Sequence, residues 1–562
     1  MTAAAATLLG VASARAYGES RFVDADLASL AARDVSVAWI DAFERYGAAA
    51  PTKVHGDFAV AIRDRTGRTL LAVDRFAIHP LCFRVEGETL AFDPRADVVA
   101  GASKEQDPQA LFDYLYFHNI PAPRTIFRGV QRLPAGHYAL LDKGRLTVAP
   151  WWKPVFEEAY SRPFPELREE FLRLVRAAVA RQAEGVQTGC FLSGGTDSST
   201  IAGMLTEITG KPAHTFSIGF NAAGYDEMEY ARIAARHFGT DHHEYYVTPD
   251  DLVESIPMVA RSYDQPFGNS SVLPTYYCAR LARTSGVERM LGGDGGDELF
   301  GGNSRYAKQR IFGAYDRIPG WMRSGLLEPL LAPGRTLARL PGVKKAASYV
   351  EQARVPMPDR LQMYNLLSRL GLDEVLTPEF LRTIDVESPL RQQREVYSAS
   401  GSTALINRML AFDWRYTLAD NDLPKVVGAT TLAGVGAGFP LLDDALTDFS
   451  LRLEPELKLK GLQLRWFFKE ALRGFLPDAT LAKQKHGFGL PFGVWVNAHP
   501  ALRDLALRSV SALGRRGIVR EQFIRKLVAE HLPAHPGYYG EMVWLLMMLE
   551  QWQDRGASQP AA

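Results

Sequence analysis

The heptapeptide Ser193-Gly194-Gly195-Thr196-Asp197-Ser198-Ser199 sets two glycines and three serine hydroxyls beside one carboxylate. It follows the apolar Cys190-Phe191-Leu192 and opens a helical pattern over about 198–208, with Gly210 as its stop. Glycines at a strand-to-helix junction let backbone N–H groups close around an anion, and the positive helix end adds to the attraction. No lysine follows the second glycine, which excludes the Walker arrangement. A carboxylate at Asp197 belongs beside an anion only with a divalent cation to screen the repulsion. A solvated Gly/Ser turn with an aspartate helix cap is the plain alternative.

A second concentration lies at Gly292-Gly293-Asp294-Gly295-Gly296-Asp297-Glu298, followed by Gly301-Gly302. Its glycines bring backbone close to a ligand, and Asp294, Asp297 and Glu298 gather carboxylates there. Asp197 and Asp297, from separate loops, can share a Mg²⁺ that screens the phosphates of a bound ligand. Carboxylate runs in ordinary turns are simply solvated. His242 and His243 suggest a metal, but no partner ligands stand at a suitable spacing, and the pair reads as structural.

These loops need a scaffold. Up to about residue 150 the pattern is β-rich. Strands at 58–62 and 69–73 flank a turn at Thr66-Gly67-Arg68, and another hairpin turns at Glu86-Gly87-Glu88. Residues 151–165, with three prolines and two tryptophans, read as the crossing into a second domain. There Phe171, Leu172, Leu174, Val175 and Val179 mark an amphipathic helix over 166–183. Strand, glycine loop, helix and a further strand at 213–218 make a βαβ unit on a parallel sheet. From about 305 onward helical patterns dominate. The expected division is 1–150 and 151–562.

The 562 residues carry 64 basic and 64 acidic side chains, so no global field draws in nucleic acid or a membrane. Cys82, Cys190 and Cys278 form no CxxC pair, and a reducing cytoplasm is the natural setting. Ala14-Arg15-Ala16 mimics a cleavage site, yet no positive region precedes the mostly alanine stretch before it, so secretion is not expected. No run of about eighteen apolar residues marks a membrane span.

The heptapeptide resembles the pyrophosphate loop of the ATP pyrophosphatase group, which includes the asparagine, argininosuccinate and GMP synthetases. Further segments resemble the asparagine synthetase family in order: Phe216-Ser217-Ile218-Gly219-Phe220 beside the adenine, Tyr225-Asp226-Glu227 at a helix start, and His242-His243-Glu244 closing the next loop. Asp264-Gln265-Pro266-Phe267, the 292–302 motif and Lys485-His486-Gly487-Phe488-Gly489 follow. The resemblance implies cleavage of ATP to AMP and pyrophosphate. It implies nucleotide contacts from Leu192, Ser193, Gly194, Gly195, Asp197, Ser198, Ser199, Ile218, Gly219, Gly292, Gly293 and Asp297. It also implies Mg²⁺ on Asp197 and Asp297, and catalytic roles for Lys485 and Asp294. More weakly, 56–62, Asp74-Arg75 through Pro80-Leu81, and Leu133-Pro134-Ala135-Gly136-His137 resemble the family's class II glutaminase domain. The implied fold is α/β: an Ntn-type, β-rich amidotransferase domain, then a Rossmann-like synthetase domain with a helical C-terminal lobe.

The chain departs from that pattern in four places. Thr2, not cysteine, follows Met1, and no Asn-Gly dipeptide for an oxyanion hole occurs anywhere. Gln265 stands where the family has Glu. Gly436-Ala437-Gly438-Phe439-Pro440 replaces an acidic and a basic side chain, which is expected to enlarge the acceptor side of the cleft. The glutaminase domain is therefore expected to be degenerate, as in lasso-peptide cyclases and β-lactam synthetases. The latter have tyrosine where Asp294 stands and fit less well. The expected activity is adenylation of a carboxylate and its transfer to a substrate amine, foremost as a lasso-peptide macrolactam synthetase. A ribosomal peptide, brought by a peptidase or recognition partner, would be the substrate, and a homodimer is possible. Asparagine synthetase and a non-catalytic nucleotide-binding scaffold are the alternatives.

Overall fold

The computed structural model describes residues 5–8, 12–316, 318–323, 349–483 and 489–554. The N-terminal part is built on a five-stranded antiparallel sheet. Its strands are Ser13–Gly18 (β1), Phe58–Arg63 (β2), Thr69–Val73 (β3), His137–Asp142 (β4) and Arg145–Pro150 (β5), in the order β1-β2-β3-β4-β5. Burial of both its faces explains why β2 is apolar from Phe58 to Ile62. Phe58, Val60 and Ile62 pack on Trp39 and Phe43 of the helix Val35–Tyr46. Ala59 and Ala61 face the other way, onto Phe83 and Phe92 of a second sheet. That sheet contains the hairpin Cys82–Glu86 and Thr89–Asp93, with its turn at the expected Gly87.

The second part is a parallel sheet. Its strands are Thr188–Phe191 (β6), His214–Phe220 (β7), Asp241–Val247 (β8), Arg289–Leu291 (β9) and Gly436–Gly438 (β10). The order is β8-β7-β6-β9-β10. Three helices, Phe164–Ala183 (α1), Thr196–Thr209 (α2) and Met228–Phe238 (α3), share one apolar cluster with Cys190, Leu192 and Leu291. Phe216, Ile218 and Met290 face the opposite cluster, with the helix Val272–Thr284 and the C-terminal helix Pro536–Gln553. The chain leaves the central strand β6 toward β7 on one side and returns at β9 on the other. Such a reversal opens a crevice at the strands' C-terminal ends, where open α/β sheets bind ligands.

Two expectations are corrected by this sheet. Residues 242–244 do not close a loop but run through β8, paired in parallel with β7 from His214↔Asp241 to Phe220↔Val247. Gly436–Gly438 pairs with Arg289–Leu291 as the fifth strand. A Cβ at Gly438 would stand 2.7 Å from Gln182 Oε1 and 2.8 Å from a Leu291 methyl, so this glycine packs the sheet edge rather than widening a cleft.

The two parts interlock. Residues 96–130 share an apolar cluster with the C-terminal helices, and Tyr114 Oη donates to Leu545 O at 2.9 Å. Arg75 Nε lies 2.9 Å from Asp444 Oδ1, while Gly56 N donates to Asp444 Oδ2 at 2.7 Å. Asp443 accepts from Arg181 and Arg21. All three cysteines are buried thiols, as expected of Cys190. No helix among the described residues is long and apolar enough to cross a membrane.

Candidate active site

The loops after β6 and β9 meet over a cavity of about 460 Å³, which is within the usual range for a small-molecule site. Of the nucleotide contacts expected from sequence, Leu192, Ser193, Gly195, Asp197, Ser198, Ile218, Gly293 and Asp297 line it, as does Asp294. Phe191, Phe216, Met228 and Cys278 supply an apolar wall beside Ile218, of the kind a flat base takes.

Local geometry explains the anion end. Gly195 occupies the N-cap of α2, and no side chain caps the helix. Its first N–H groups therefore have no intrahelical acceptor and are free to meet a phosphate. The loop is held by its own hydroxyls: Ser193 N donates to Ser198 Oγ at 3.1 Å, and the two Oγ atoms lie 3.0 Å apart. Gly293 is required by close approach, because a Cβ there would stand 2.8 Å from both Asp197 Cβ and Ser198 N. The two loops could not meet around any larger residue.

Four of the expected contacts fall outside the cavity wall. Gly194, at φ +68°, turns its back on the cavity and packs against the backbone of Tyr230 and Ala231 in α3. Gly219 makes room for the Tyr246 ring, since a Cβ at this position would stand only 2.6 Å from it. Gly292 lies behind Asp294 and Phe439. Ser199 is fully buried beneath the loop, its Oγ without a hydrogen-bond partner among the described residues. Lys485 lies outside the described residues. Lys483, just before it, donates to Ser193 O at 3.1 Å and to Glu227 at 3.0 Å.

Asp197 and Asp297 are brought together, and one arginine lies between them. Arg465 Nη1 donates to Asp197 Oδ2 at 2.7 Å and to Asp297 Oδ1 at 2.8 Å, and its Nη2 bonds the other Asp197 oxygen. The Arg465 side chain is 6% exposed, and its guanidinium sits 4.1 Å from the Phe468 ring centre. Its backbone is in the left-handed region, φ +55°, which is uncommon for a residue with a Cβ and typical of functional positions. The two carboxylates supply the hard oxygen donors that Mg²⁺ takes. They fit the ion if the guanidinium gives way.

Sequence reasoning missed a second group of charges. Lys425, on the helix Leu423–Ala433, lies 3.0 Å from Asp422 and 4.0 Å from Asp294, and all three line the cavity. Burial raises the Asp294 carboxyl to about 6, with Lys425 opposing the rise and Asp422 adding to it. Burial also raises Glu298 to about 8, helped by Asp422 and Asp413. Lys425 is held above the usual lysine range: burial disfavours its charge, but Asp422 and Asp294 outweigh that cost. A carboxylate whose proton affinity is raised in this way, beside a firmly charged ammonium, can take a proton from an attacking amine. The available signal was a lone lysine in the otherwise uncharged run 423–433. Arg465 had none.

The asparagine synthase family profile matches residues 170–554, and a glutamine amidotransferase domain profile matches 30–152. Asparagine synthetase [glutamine-hydrolyzing] 1 of Bacillus subtilis is 25% identical over 522 residues, covering 91% of this chain and 79% of that protein. A putative asparagine synthetase [glutamine-hydrolyzing] of Mycobacterium tuberculosis is 26% identical over 91% of this chain and 78% of its own length. Another, from Methanocaldococcus jannaschii, is 33% identical over 48% of this chain and 54% of its own. With both profiles falling in order on the two parts of the fold, the chain belongs to the asparagine synthase family and is an ATP-dependent carbon–nitrogen ligase.

Proposed function

We propose that the chain uses ATP and Mg²⁺ to adenylate a side-chain carboxylate of a ribosomal peptide and closes a macrolactam with an amine of the same peptide. The observation that carries the reading is the Asp294–Lys425 pair, which lies in the same cavity as the glycine loops. It supports an amine acceptor, while the lack of any Asn-Gly dipeptide removes the usual oxyanion support for drawing nitrogen from glutamine.

In the first step a carboxylate oxygen attacks the α-phosphorus, and the bond to the leaving pyrophosphate breaks. The N–H groups at the start of α2 hold the phosphates, and Asp197 and Asp297 would hold the ion. Bound there, Mg²⁺ supplies charge neutralisation to the leaving group. In the second step the amine nitrogen attacks the acyl carbon, the C–O bond to AMP breaks, and the amine proton passes to the Asp294 carboxylate. Lys425 keeps that carboxylate ionised and turned toward the cavity. A peptidase or recognition partner delivering the peptide belongs to this reading, as does a homodimer.

The names of the relatives favour a second reading, aspartate converted to asparagine. The experiment offers the purified chain ATP, Mg²⁺ and either a precursor peptide or aspartate with ammonia. AMP release with loss of one water mass from the peptide supports the proposal. Asparagine formation without peptide dehydration supports the second reading.

A further inference from the structure

We infer that His214, Asp241 and His243 form a binding site for a borderline divalent cation, Zn²⁺ by preference, at the edge of the parallel sheet opposite the active site. In sequence, the pair His242-His243 lacked partners. The parallel register supplies them. His214 opens β7 and Asp241 opens the edge strand β8, and the two are direct register partners. Alternation along β8 then places His243 on the same face as Asp241 and sends His242 to the other. There His242 Nδ1 lies 2.9 Å from Thr215 Oγ1.

The ligand atoms converge. His214 Nδ1 lies 2.9 Å from Asp241 Oδ2, and His243 Nε2 lies 3.2 Å from the same oxygen. One nitrogen from each ring and one carboxylate oxygen all fall within 4.8 Å of one another. Tetrahedral Zn²⁺ with bonds of about 2.0–2.1 Å holds its ligands roughly 3.3 Å apart, so small side-chain adjustments close the set. His214 Nδ1 is buried and, despite its short distance to Asp241, makes no hydrogen bond of acceptable angle. Asp241 Oδ2 shares its hydrogen bond with His243 Nε2 instead, which leaves the His214 nitrogen open to an ion. The His243 ring is fixed by stacking on Phe216, 5.0 Å between centroids and 13° between planes. Two imidazoles and a carboxylate are a zinc set that leaves the fourth position to water. His214 is four residues before Ile218, about 13 Å along the strand, so this ion would fasten the edge strand away from the phosphate loops and meet the cavity wall only through the Phe216 ring.

The test uses the tag-free full chain, stripped of metal and titrated with Zn²⁺ by calorimetry and with Co²⁺ by visible absorption. Asp241→Asn and His214→Gln, both at partly exposed positions, keep side-chain volume. The expected result is one Zn²⁺ per chain and intense four-coordinate Co²⁺ bands. An oxygen-donor site of the kind Asp197 and Asp297 would form gives only weak ones. Either variant should weaken Zn²⁺ binding by at least about a hundred-fold, since even outer-shell changes cost 10- to 100-fold. Zn²⁺ should also raise the melting temperature of the wild type and not of the variants. Absence of the Co²⁺ bands, or variants that bind as the wild type does, would overturn the site.

Discussion

Arg465 and Asp197 form a two-pronged ion pair at the wall of the nucleotide cavity, and the same guanidinium reaches Asp297. The residues come from segments 268 positions apart, and their meeting joins the two glycine loops to the C-terminal lobe. A single buried cation thus stands where two carboxylates would otherwise repel each other.

Removing that cation tests whether the carboxylates are a cation site. Arg465→Met is expected to cost about 3 kcal/mol of folding stability, the low end for a buried pair, because Asp197 keeps a fifth of its side chain open to solvent. Millimolar Mg²⁺ should restore part of the loss by taking the guanidinium's place. Denaturation midpoints with and without Mg²⁺ measure both. An equal loss in either buffer would mean that no ion binds between the aspartates.

Asp197→Ala and Asp297→Ala should each abolish Mg²⁺-dependent ATP–pyrophosphate exchange while leaving a folded protein. Each leaves phosphate charge unscreened at the transition state, at a cost of several kcal/mol. Exchange near the wild-type rate in either variant would put the ion elsewhere.

Lys485 is expected to act on charge that develops during adenylation, because the loop N–H groups are already placed to meet ground-state phosphate. Lys485→Met should lower turnover by about two to three powers of ten with little change in KM for ATP. Lys485→Arg should rescue poorly, since a planar fork does not reproduce a point charge. AMP formation against ATP concentration separates the outcomes. A raised KM with normal turnover would make the residue a binding group only.

The amide-forming step should need ionised Asp294. Its carboxyl is raised to about 6, so the rate should be full above that pH and fall about tenfold per unit below it. Asp294→Asn should be slow and flat with pH. Lys425→Met removes the charge that opposes burial and should move the acid limb upward. The stability linkage has the opposite sense. A carboxyl raised on folding binds its proton more tightly in the folded state, so its contribution grows as pH falls from about 6 toward 4. A profile unchanged in Lys425→Met would detach the two groups.

Glutamine should yield no ammonia. Cys82, Cys190 and Cys278 are buried, and burial pushes each thiol up and away from the reactive thiolate. Glutamate release by the purified chain, measured with a coupled assay, would overturn this.

What the sequence determined by itself was local. A strand, two glycines and a helix start are contiguous, so the phosphate loop and its Asp197 could be read from seven residues, as could the 292–298 loop. Apolar alternation in 58–62 and helical spacing in 166–183 likewise name their elements, because backbone geometry imposes those periods within a few residues. What only the tertiary structure decided was which distant side chains share a space. Lys425 enters the cavity, and Arg465 reaches the aspartates on its wall, because the sheet reverses direction between β6 and β9 and the C-terminal lobe closes over that crevice. The same holds at the sheet's far edge, where a one-residue slip of the β7–β8 register would send Asp241 to the wrong face and dissolve the cluster with His214 and His243. The Gly436–Gly438 segment shows the converse. By composition it promised an open cleft, yet its free backbone groups found partners on β9, and hydrogen bonding of the buried chain settled where it lies.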